Sequence, residues 1–324
     1  MKLRHLTTAL AIGIMLLGGN VQAQCADRCG NRCGSCDPCW DNCDWCGLFE
    51  FGAHALYWKP MTCSWAYGRI PGTNESRVQS IKADYEWGLQ VFGIYTRDCF
   101  FAELSYTWLE TRDASRRISG LVIPVFPVVT NLNGAVAKLD YDYQNVDLKL
   151  GRFLHRTCGC EFNLFGNIRW VEIEERRMLT GDNQFPTAPG PTRLTYEAEF
   201  SGVGLGVGTG GEYTICGPFH AYGQLNFMAI IGGRKNPTNF AQGTIQALRV
   251  DYKKNTCIIP AAEFRFGFNY QVTWRCLTTV WEIGYEVDYY WNVIERTNQD
   301  SDSQTRECID LGFAGLYFGG KVLF

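Results

Sequence analysis

Asp310-Leu-Gly-Phe-Ala-Gly-Leu-Tyr-Phe-Gly-Gly-Lys-Val-Leu-Phe324 ends the sequence, and apolar side chains recur at every second position through much of it. A period of two residues is typical of a β-strand with one apolar face, and about ten segments from residue 48 onward show it. No later run reaches the roughly 20 apolar residues that a spanning helix needs. Without such a helix, the chain can span a bilayer only as a sheet that closes on itself, because every backbone N–H and C=O must be paired internally. The sequence predicts an all-β fold, a transmembrane antiparallel up-and-down β-barrel.

The strand count predicted from the alternation is about ten. Twelve strands would result if 121–129 or 244–252 formed further wall strands, although Pro124 and Pro127 argue against the first. One predicted strand, about 138–154, changes parity, and we expect a β-bulge near Gln144 and Asn145.

Short and long connections alternate along the chain, which predicts short periplasmic turns and long outer loops. Aromatic residues concentrate towards the long-loop end, as an interfacial girdle would require. The predicted girdle comprises Tyr57, Trp58, Tyr85, Trp87, Tyr106, Trp108, Tyr141, Trp170, Tyr196, Tyr289 and Trp291.

Three segments are predicted. Residues 1–23 combine a basic start, an apolar stretch and a Val21-Gln22-Ala23 cleavage site, so we expect an export signal peptide. Residues 24–47 form a Cys-rich segment that we expect in the periplasm, and 48–324 form the barrel. The chain has 30 Lys and Arg against 33 Asp and Glu, so it lacks the basic balance typical of a nucleic-acid partner.

The 15 cysteines predict disulfides in an oxidising compartment, and their odd number leaves at least one outside an intrachain pair. Intrachain bonds and links to other envelope proteins are both open, since pairing cannot be read from sequence. Spacings such as Cys33-Gly-Ser-Cys36 would also suit a metal, but we expect neither metal nor cofactor. The disulfide candidates are Cys25, Cys29, Cys33, Cys36, Cys39, Cys43, Cys46, Cys99, Cys158, Cys160, Cys216 and Cys276.

Polar residues between the outward apolar ones should face the interior. If they line water, their excess of acids implies a slight cation preference; if they pair across a narrow lumen, they plug it. The pore-lining candidates are Glu50, His54, Asp84, Glu86, Glu103, Glu161, Arg169, Glu197, Glu199, His220, Glu263, Arg265, Glu282, Glu286 and Asp288.

Catalysis is not expected. After the predicted signal peptide the sequence has three histidines, His54, His155 and His220. The alternation of the strands places none of them at the long-loop rim, where a barrel hydrolase would need one.

The Cys-rich N-terminus, a first strand of the type Phe49-Glu-Phe-Gly-Ala-His-Ala-Leu-Tyr-Trp-Lys-Pro60, a Gly-rich strand at 202–211 and the terminal Phe324 resemble the Legionella-type major outer membrane protein family. That family also includes proteins of Chlamydia-related bacteria. The resemblance implies a pore-forming protein whose relatives can be disulfide-linked into the envelope.

We therefore expect a porin-like protein of the bacterial outer membrane that passes small solutes or ions. The alternative is a structural envelope protein or adhesin with a plugged lumen. Expected partners are outer-membrane lipid, the barrel-assembly machinery and disulfide-linked envelope proteins or further copies of the chain. Phe318, Val322 and Phe324 form the expected membrane-insertion signal.

Overall fold

A computed structural model describes residues 48–62, 65–70, 77–114, 118–124, 132–157, 159–183, 191–242, 245–250, 255–274, 277–300 and 303–323. The predicted signal peptide and Cys-rich segment, 1–47, lie outside these described residues. No helix among the described residues is long and apolar enough to cross a membrane.

The described chain forms fifteen β-strands. They are β1 (Leu48–Met61), β2 (Trp65–Ile70), β3 (Arg77–Ile81), β4 (Glu86–Arg97), β5 (Phe100–Ala114), β6 (Ile118–Pro124), β7 (Leu132–Arg156), β8 (Cys160–Asn183), β9 (Pro191–Cys216), β10 (Phe219–Lys235), β11 (Thr238–Gln242), β12 (Ile245–Val250), β13 (Asn255–Trp274), β14 (Leu277–Asp300) and β15 (Ser303–Leu323).

Ten of these strands close into one antiparallel ring, in the order β1-β4-β5-β7-β8-β9-β10-β13-β14-β15. The ring closes where β15 pairs with β1, from Glu50 opposite Leu323 to Met61 opposite Gly312. Every wall strand therefore has a neighbour on both sides, which removes the unpaired edges that a bilayer does not tolerate. The predicted fold class and the count of ten strands are confirmed.

The other five strands belong to the long connections. β6 pairs with β7 and β2, and β12 pairs with β11, so the segments that could have given twelve wall strands add to loops instead. On the opposite rim the connections are short, and two-residue turns occupy 98–99 and 217–218. Asp98 and Gly217 adopt the positive φ angles that tight hairpin turns favour. We call these ends the long-loop rim and the short-turn rim.

Several wall strands are much longer than a membrane requires. β7, β8, β9 and β14 have 25, 24, 26 and 24 residues, whereas a tilted strand crosses a bilayer in about 9–11 residues. The wall therefore continues beyond the membrane on the long-loop side. On β8 we assign 162–170 to this membrane zone, because the outward side chains there are mostly apolar, and 171–183 to an outer zone, where they are mostly polar.

In the membrane zone the outward side chains are apolar and the inward ones are polar. Ile168 on β8 and Leu150 on β7 point outward and are 46% and 55% exposed. Their neighbours Arg169 and Lys149 point inward and are buried. This polarity suits a wall with lipid outside and polar groups inside.

In the outer zone the polarity is reversed while the alternation continues. Val171 and Ile173 on β8 point inward and are 0% and 1% exposed, and Tyr143 on β7 is fully buried. Glu172 and Glu174, which alternate with Val171 and Ile173 along β8, lie on the outward face. Because water replaces lipid outside, the interior here becomes a largely apolar core like that of a soluble barrel. It also holds a buried ion pair between Glu175 and Arg177, at 2.5 Å.

The reversal corrects two predictions. β7 has no bulge at 144–145, since its ladder with β8 is continuous there and shifts at Asn133/Ala135 and Phe153/His155 instead. The parity of the apolar residues changes because the apolar face is the inward one in the outer zone and the outward one in the membrane zone. It also removes three residues from the aromatic girdle, because Trp58, Tyr141 and Tyr196 point inward and are buried.

Candidate functional site

The interior of the membrane zone holds a layer of ion pairs centred on Arg169. The guanidinium donates to both carboxylate oxygens of Asp147, at 2.7 and 2.5 Å, and to Oδ1 of Asp288 at 2.7 Å. It also contacts Glu263. Arg169 is 2% exposed, so the three carboxylates neutralise a cation that has lost its hydration.

At its boundary with the outer zone, this layer bridges opposite walls. Tyr143 on β7 donates to Asp288 on β14, and its hydroxyl lies 2.9 Å from that of Tyr290. β7 and β14 are five strands apart in the ring of ten, so they face each other across the lumen. Lys149 on β7 reaches 3.3 Å from Glu263 on β13. Side chains thus fill the cross-section at this level.

A second set of contacts lies nearer the short-turn rim. His54 Nε2 on β1 lies 2.7 Å from Glu282 on β14, and Lys321 Nζ lies 3.5 Å from the same carboxylate. Arg265 donates to Glu286 at 2.6 Å and contacts Gln90 across the lumen. These contacts join β1, β4, β13, β14 and β15 from the inside.

A cavity of about 200 Å³ opens between this set and the short-turn rim. Its polar lining includes Glu50, Glu103, Lys149, Glu212 and Lys321. The cavity ends at the ion-pair layer, so it forms a vestibule on one side of the membrane zone.

Above the ion-pair layer the interior is closed by apolar packing. Trp58, Leu109, Tyr290 and Phe313 are each 0% exposed, and Phe200 is 1% exposed. These side chains come from different wall strands and belong to one hydrophobic cluster. The interior is thus obstructed twice, by ion pairs in the membrane zone and by a core in the outer zone.

Most of the predicted pore-lining residues lie on the inward face of the wall, where they meet one another or the vestibule. That they line a conducting pore stays a prediction. The inward residues are Glu50, His54, Glu86, Glu103, Glu161, Arg169, His220, Glu263, Arg265, Glu282, Glu286 and Asp288.

Three of the predicted inward residues lie elsewhere, and for them the prediction was wrong. Glu197 and Glu199 lie on the outward face of the outer zone, 3.0 Å from Arg176 and 3.0 Å from Lys235. Their buried neighbours Ala198 and Phe200 occupy the inward positions, because the apolar face turns inward in this zone. Asp84 precedes β4, is exposed, and accepts a hydrogen bond from the backbone of Tyr85.

The prediction omitted Asp147, Lys149 and Lys321, which are central to the ion-pair networks. Their signal was present in the sequence. Apolar Leu148 and Leu150 take the outward face of β7, so the alternation sends their neighbours Asp147 and Lys149 inward. The partner of each residue depends on the register of strands far apart in sequence, and no local pattern contains it.

The remaining predicted residues fall in three places. Phe318 is 47% exposed on the lipid side and Val322 pairs with Phe51 and Thr279, while Phe324 lies outside the described residues.

Cys99, Cys160 and Cys216 lie at short turns, and Cys160 and Cys216 are thiols. The other cysteines among the predicted disulfide candidates lie outside the described residues. They are Cys25, Cys29, Cys33, Cys36, Cys39, Cys43, Cys46, Cys158 and Cys276.

An acidic patch on the outer zone couples stability to pH. The pKa of Glu174 is raised by partial burial and by the neighbouring charges of Glu199, Asp142 and Glu172. The pKa of Glu172 is raised by burial, Asp142 and Glu199. A raised pKa in the folded state means tighter proton binding than in the unfolded chain, so stability increases as the pH falls through that pKa.

We expect the Glu172→Gln, Glu174→Gln double variant to be more stable than the wild type at pH 7.5, by about 0.5 kcal/mol for these partly exposed groups. The gain should shrink below the pKa of the two carboxyl groups, where the wild type is itself protonated. Urea unfolding of the folded protein in liposomes at pH 7.5 and pH 4 measures both. An equal gain at the two pH values would contradict the electrostatic cause.

The closed ring, the apolar outward band and the polar inward face together define a transmembrane β-barrel of the bacterial outer membrane. The family described as Legionella pneumophila major outer membrane protein precursor matches residues 44–324. The chain belongs to that family, as its sequence resemblance predicted. In such barrels the short-turn rim faces the periplasm.

Several solved structures of outer-membrane proteins are also similar. The Escherichia coli outer membrane protease OmpT has 8% identity and a TM-score of 0.42, covering 90% of this chain and 99% of its own. A Pseudomonas aeruginosa FadL homologue has 7% identity and a TM-score of 0.27, covering 90% and 95%. The Ralstonia pickettii toluene transporter TbuX has 10% identity and a TM-score of 0.22, covering 85% and 88%. No curated protein matches the chain.

Proposed function

We propose that this barrel is closed to solutes in the conformation described and acts as a structural or adhesive protein of the outer membrane. The carrying observation is the bridge from Tyr143 to Asp288, which joins two diametrically opposed strands. The inward side chains beside this bridge are also buried, with Arg169, Asp147 and Glu263 at 2%, 3% and 2% exposed. Side chains that fill the width of a narrow barrel in this way leave no continuous water path. The outer zone supports the same role, because its polar outward face extends the wall beyond the membrane as a presentable surface.

A porin-like function is the second candidate, and one observation favours it. Lys149 lies 3.4 Å from Glu103, which lines the vestibule, and 3.3 Å from Glu263 in the ion-pair layer. A cation with two carboxylates at similar distances can exchange between them. Such an exchange would link the vestibule to the ion-pair layer and would be the first step of an opening for small ions.

Single-channel recording in planar bilayers separates the two candidates. We expect wild-type protein in KCl to show no openings, and liposomes containing it to exclude small sugars. The Tyr143→Ala, Phe313→Ala double variant removes part of the obstruction. It serves as a positive control, because it shows whether the barrel conducts once its lumen is opened. We expect it to raise conductance, provided that the protein still shows the gel shift of a folded barrel. Regular openings of the wild type would refute the closed barrel and support the porin.

We also propose that the protein is not an enzyme. His54 is 0% exposed and is held by Gln90 and Glu282. His220 lies near the short turns beside Thr214 and Glu212. Both histidines are placed away from the outer surface where an extracellular substrate would arrive.

The partner proposals concern the last strand and the periplasmic turns. We propose that the β15 terminal segment, with Phe318 facing lipid, is recognised by the barrel-assembly machinery. Cys216 is exposed at a periplasmic turn. We propose that such turn cysteines form disulfides within the envelope, either in this chain, with another envelope protein or with another copy.

A further inference from the structure

The lipid-facing wall has a groove of about 620 Å³ near the periplasmic rim, across β4, β5, β7, β8 and β9. One row of its lining runs across the five strands in register, as Tyr95, Ala102, Leu150, Gly166 and Val207. Ala102 and Gly166 are small and alternate with larger side chains. The wall is therefore recessed at two points inside a band that is otherwise bulky and apolar.

The row immediately nearer the periplasm carries two cations. Arg97, Phe100 and Arg152 are adjacent on β4, β5 and β7, so the two arginines flank one aromatic ring. Arg152 lies over the Phe100 ring, with 5.5 Å between the guanidinium carbon and the ring centroid. Arg97 lies 4.0 Å from Asp98, in a pair with both side chains exposed.

We infer that this groove is a binding site for an anionic glycerophospholipid of the periplasmic leaflet. The acyl chains would occupy the recess at Ala102 and Gly166, and the phosphate would lie between Arg97 and Arg152. Strands lie about 4.8 Å apart, so the two arginines are about 10 Å apart at the backbone. Their long side chains can converge on one headgroup from that separation while their stems remain against apolar surface.

Charge favours lipid over a second copy of the chain as the occupant. Glu161 and Glu212, at the periplasmic end of the described wall, line the vestibule inside the barrel. The outward acidic residues Glu172 and Glu174 belong to the outer zone, on the other side of the membrane. Asp98 is an exposed carboxylate at this depth, but it already pairs with Arg97 of its own chain. The described residues of a second copy would thus offer the arginines little further opposite charge at their own depth, whereas an anionic headgroup lies at that depth. Basic residues at a membrane surface bind anionic lipid in this way.

Native mass spectrometry of the folded protein tests the site, with phosphatidylglycerol and phosphatidylcholine as probes. We expect the wild type to retain phosphatidylglycerol in preference to phosphatidylcholine. Arg97→Gln and Arg152→Gln should each lower phosphatidylglycerol retention roughly fivefold. Arg176→Gln removes an outward arginine of the outer zone and should leave retention unchanged.

Gly166→Leu tests the recess separately from the charge. A Cβ at this position would meet only the Gly206 carbonyl oxygen, at 3.7 Å, so a side chain can start here without a backbone clash and we expect the wall to remain intact. We expect it to fill the groove and weaken retention of phosphatidylglycerol while both arginines remain. Equal retention of the two lipids, or no effect of the arginine and glycine variants, would overturn the site. A dimer in the wild type that Gly166→Leu dissociates would assign the groove to a second copy instead.

Discussion

Replacing Arg169 by alanine should destabilise the barrel by about 3 to 5 kcal/mol, the cost of leaving buried charges without their partner. Asp147, Asp288 and Glu263 are 3%, 1% and 2% exposed, and all three contact this guanidinium. Without it, three carboxylates repel one another in a site with little access to water. Urea unfolding in liposomes, followed by tryptophan fluorescence, measures the loss.

Arg176→Ala is the matched control, since it also removes an arginine of β8 that pairs with a carboxylate. Its side chain is 50% exposed and its partner Glu197 is 27% exposed. Exposed pairs of this kind contribute about 0.2 to 1 kcal/mol. A loss of stability as small for Arg169→Ala as for Arg176→Ala would show that the interior is hydrated rather than closed.

A second control separates charge from packing. In the Arg169→Met, Asp147→Asn, Asp288→Asn variant the guanidinium leaves together with two of its three carboxylates, and the volume is largely kept. The third carboxylate, Glu263, keeps Lys149 as a partner at 3.3 Å. Replacing a buried ionic cluster by neutral groups of similar size costs far less than removing one member. We expect this variant to recover much of the stability lost in Arg169→Ala. If it is less stable than Arg169→Ala, the hydrogen bonds of the cluster outweigh its charges.

The alternation of side chains was sufficient to predict the ring. Phe51 and Phe318 lie outward and Glu282 inward, as the alternation of apolar and polar residues predicts, because the period of two is a property of the strand backbone. The same alternation misassigned Glu197 and Glu199. A sequence records which residues alternate, but it does not mark the depth at which lipid gives way to water and the apolar face turns inward.

The partners inside the barrel could not be predicted for a different reason. Arg169 and Asp288 are 119 positions apart in sequence, and their contact depends on the closure of the ring and on the tilt of its strands. The local alternation predicts that Arg169 and Asp288 each face inward. To predict that they contact each other, one must know the register of every pair of strands between them. The closed lumen is therefore a property of the assembled barrel.

The register itself depends on glycines at the closing seam, and Gly319→Ala should therefore prevent the barrel from closing. Gly319 on β15 pairs with His54 on β1. A Cβ at Gly319 would lie 2.0 Å from the carbonyl oxygen of Ala53 and 2.8 Å from the Cα of His54. Because both atoms belong to the backbone, rotating a side chain cannot relieve the clash, and we expect a cost of about 3 kcal/mol or more.

Gly166→Ala, in the membrane zone of β8, is the control for loss of a wall glycine. Its Cβ would meet nothing closer than 3.7 Å, so this variant should fold as the wild type does. Refolding into liposomes, scored by the shift between heated and unheated samples on a gel, compares the two. We expect the shift for Gly166→Ala and its loss for Gly319→Ala. Normal folding of Gly319→Ala would mean that β1 and β15 approach less closely than the described register requires, and the tight seam would have to be abandoned as the element that fixes the inward position of His54.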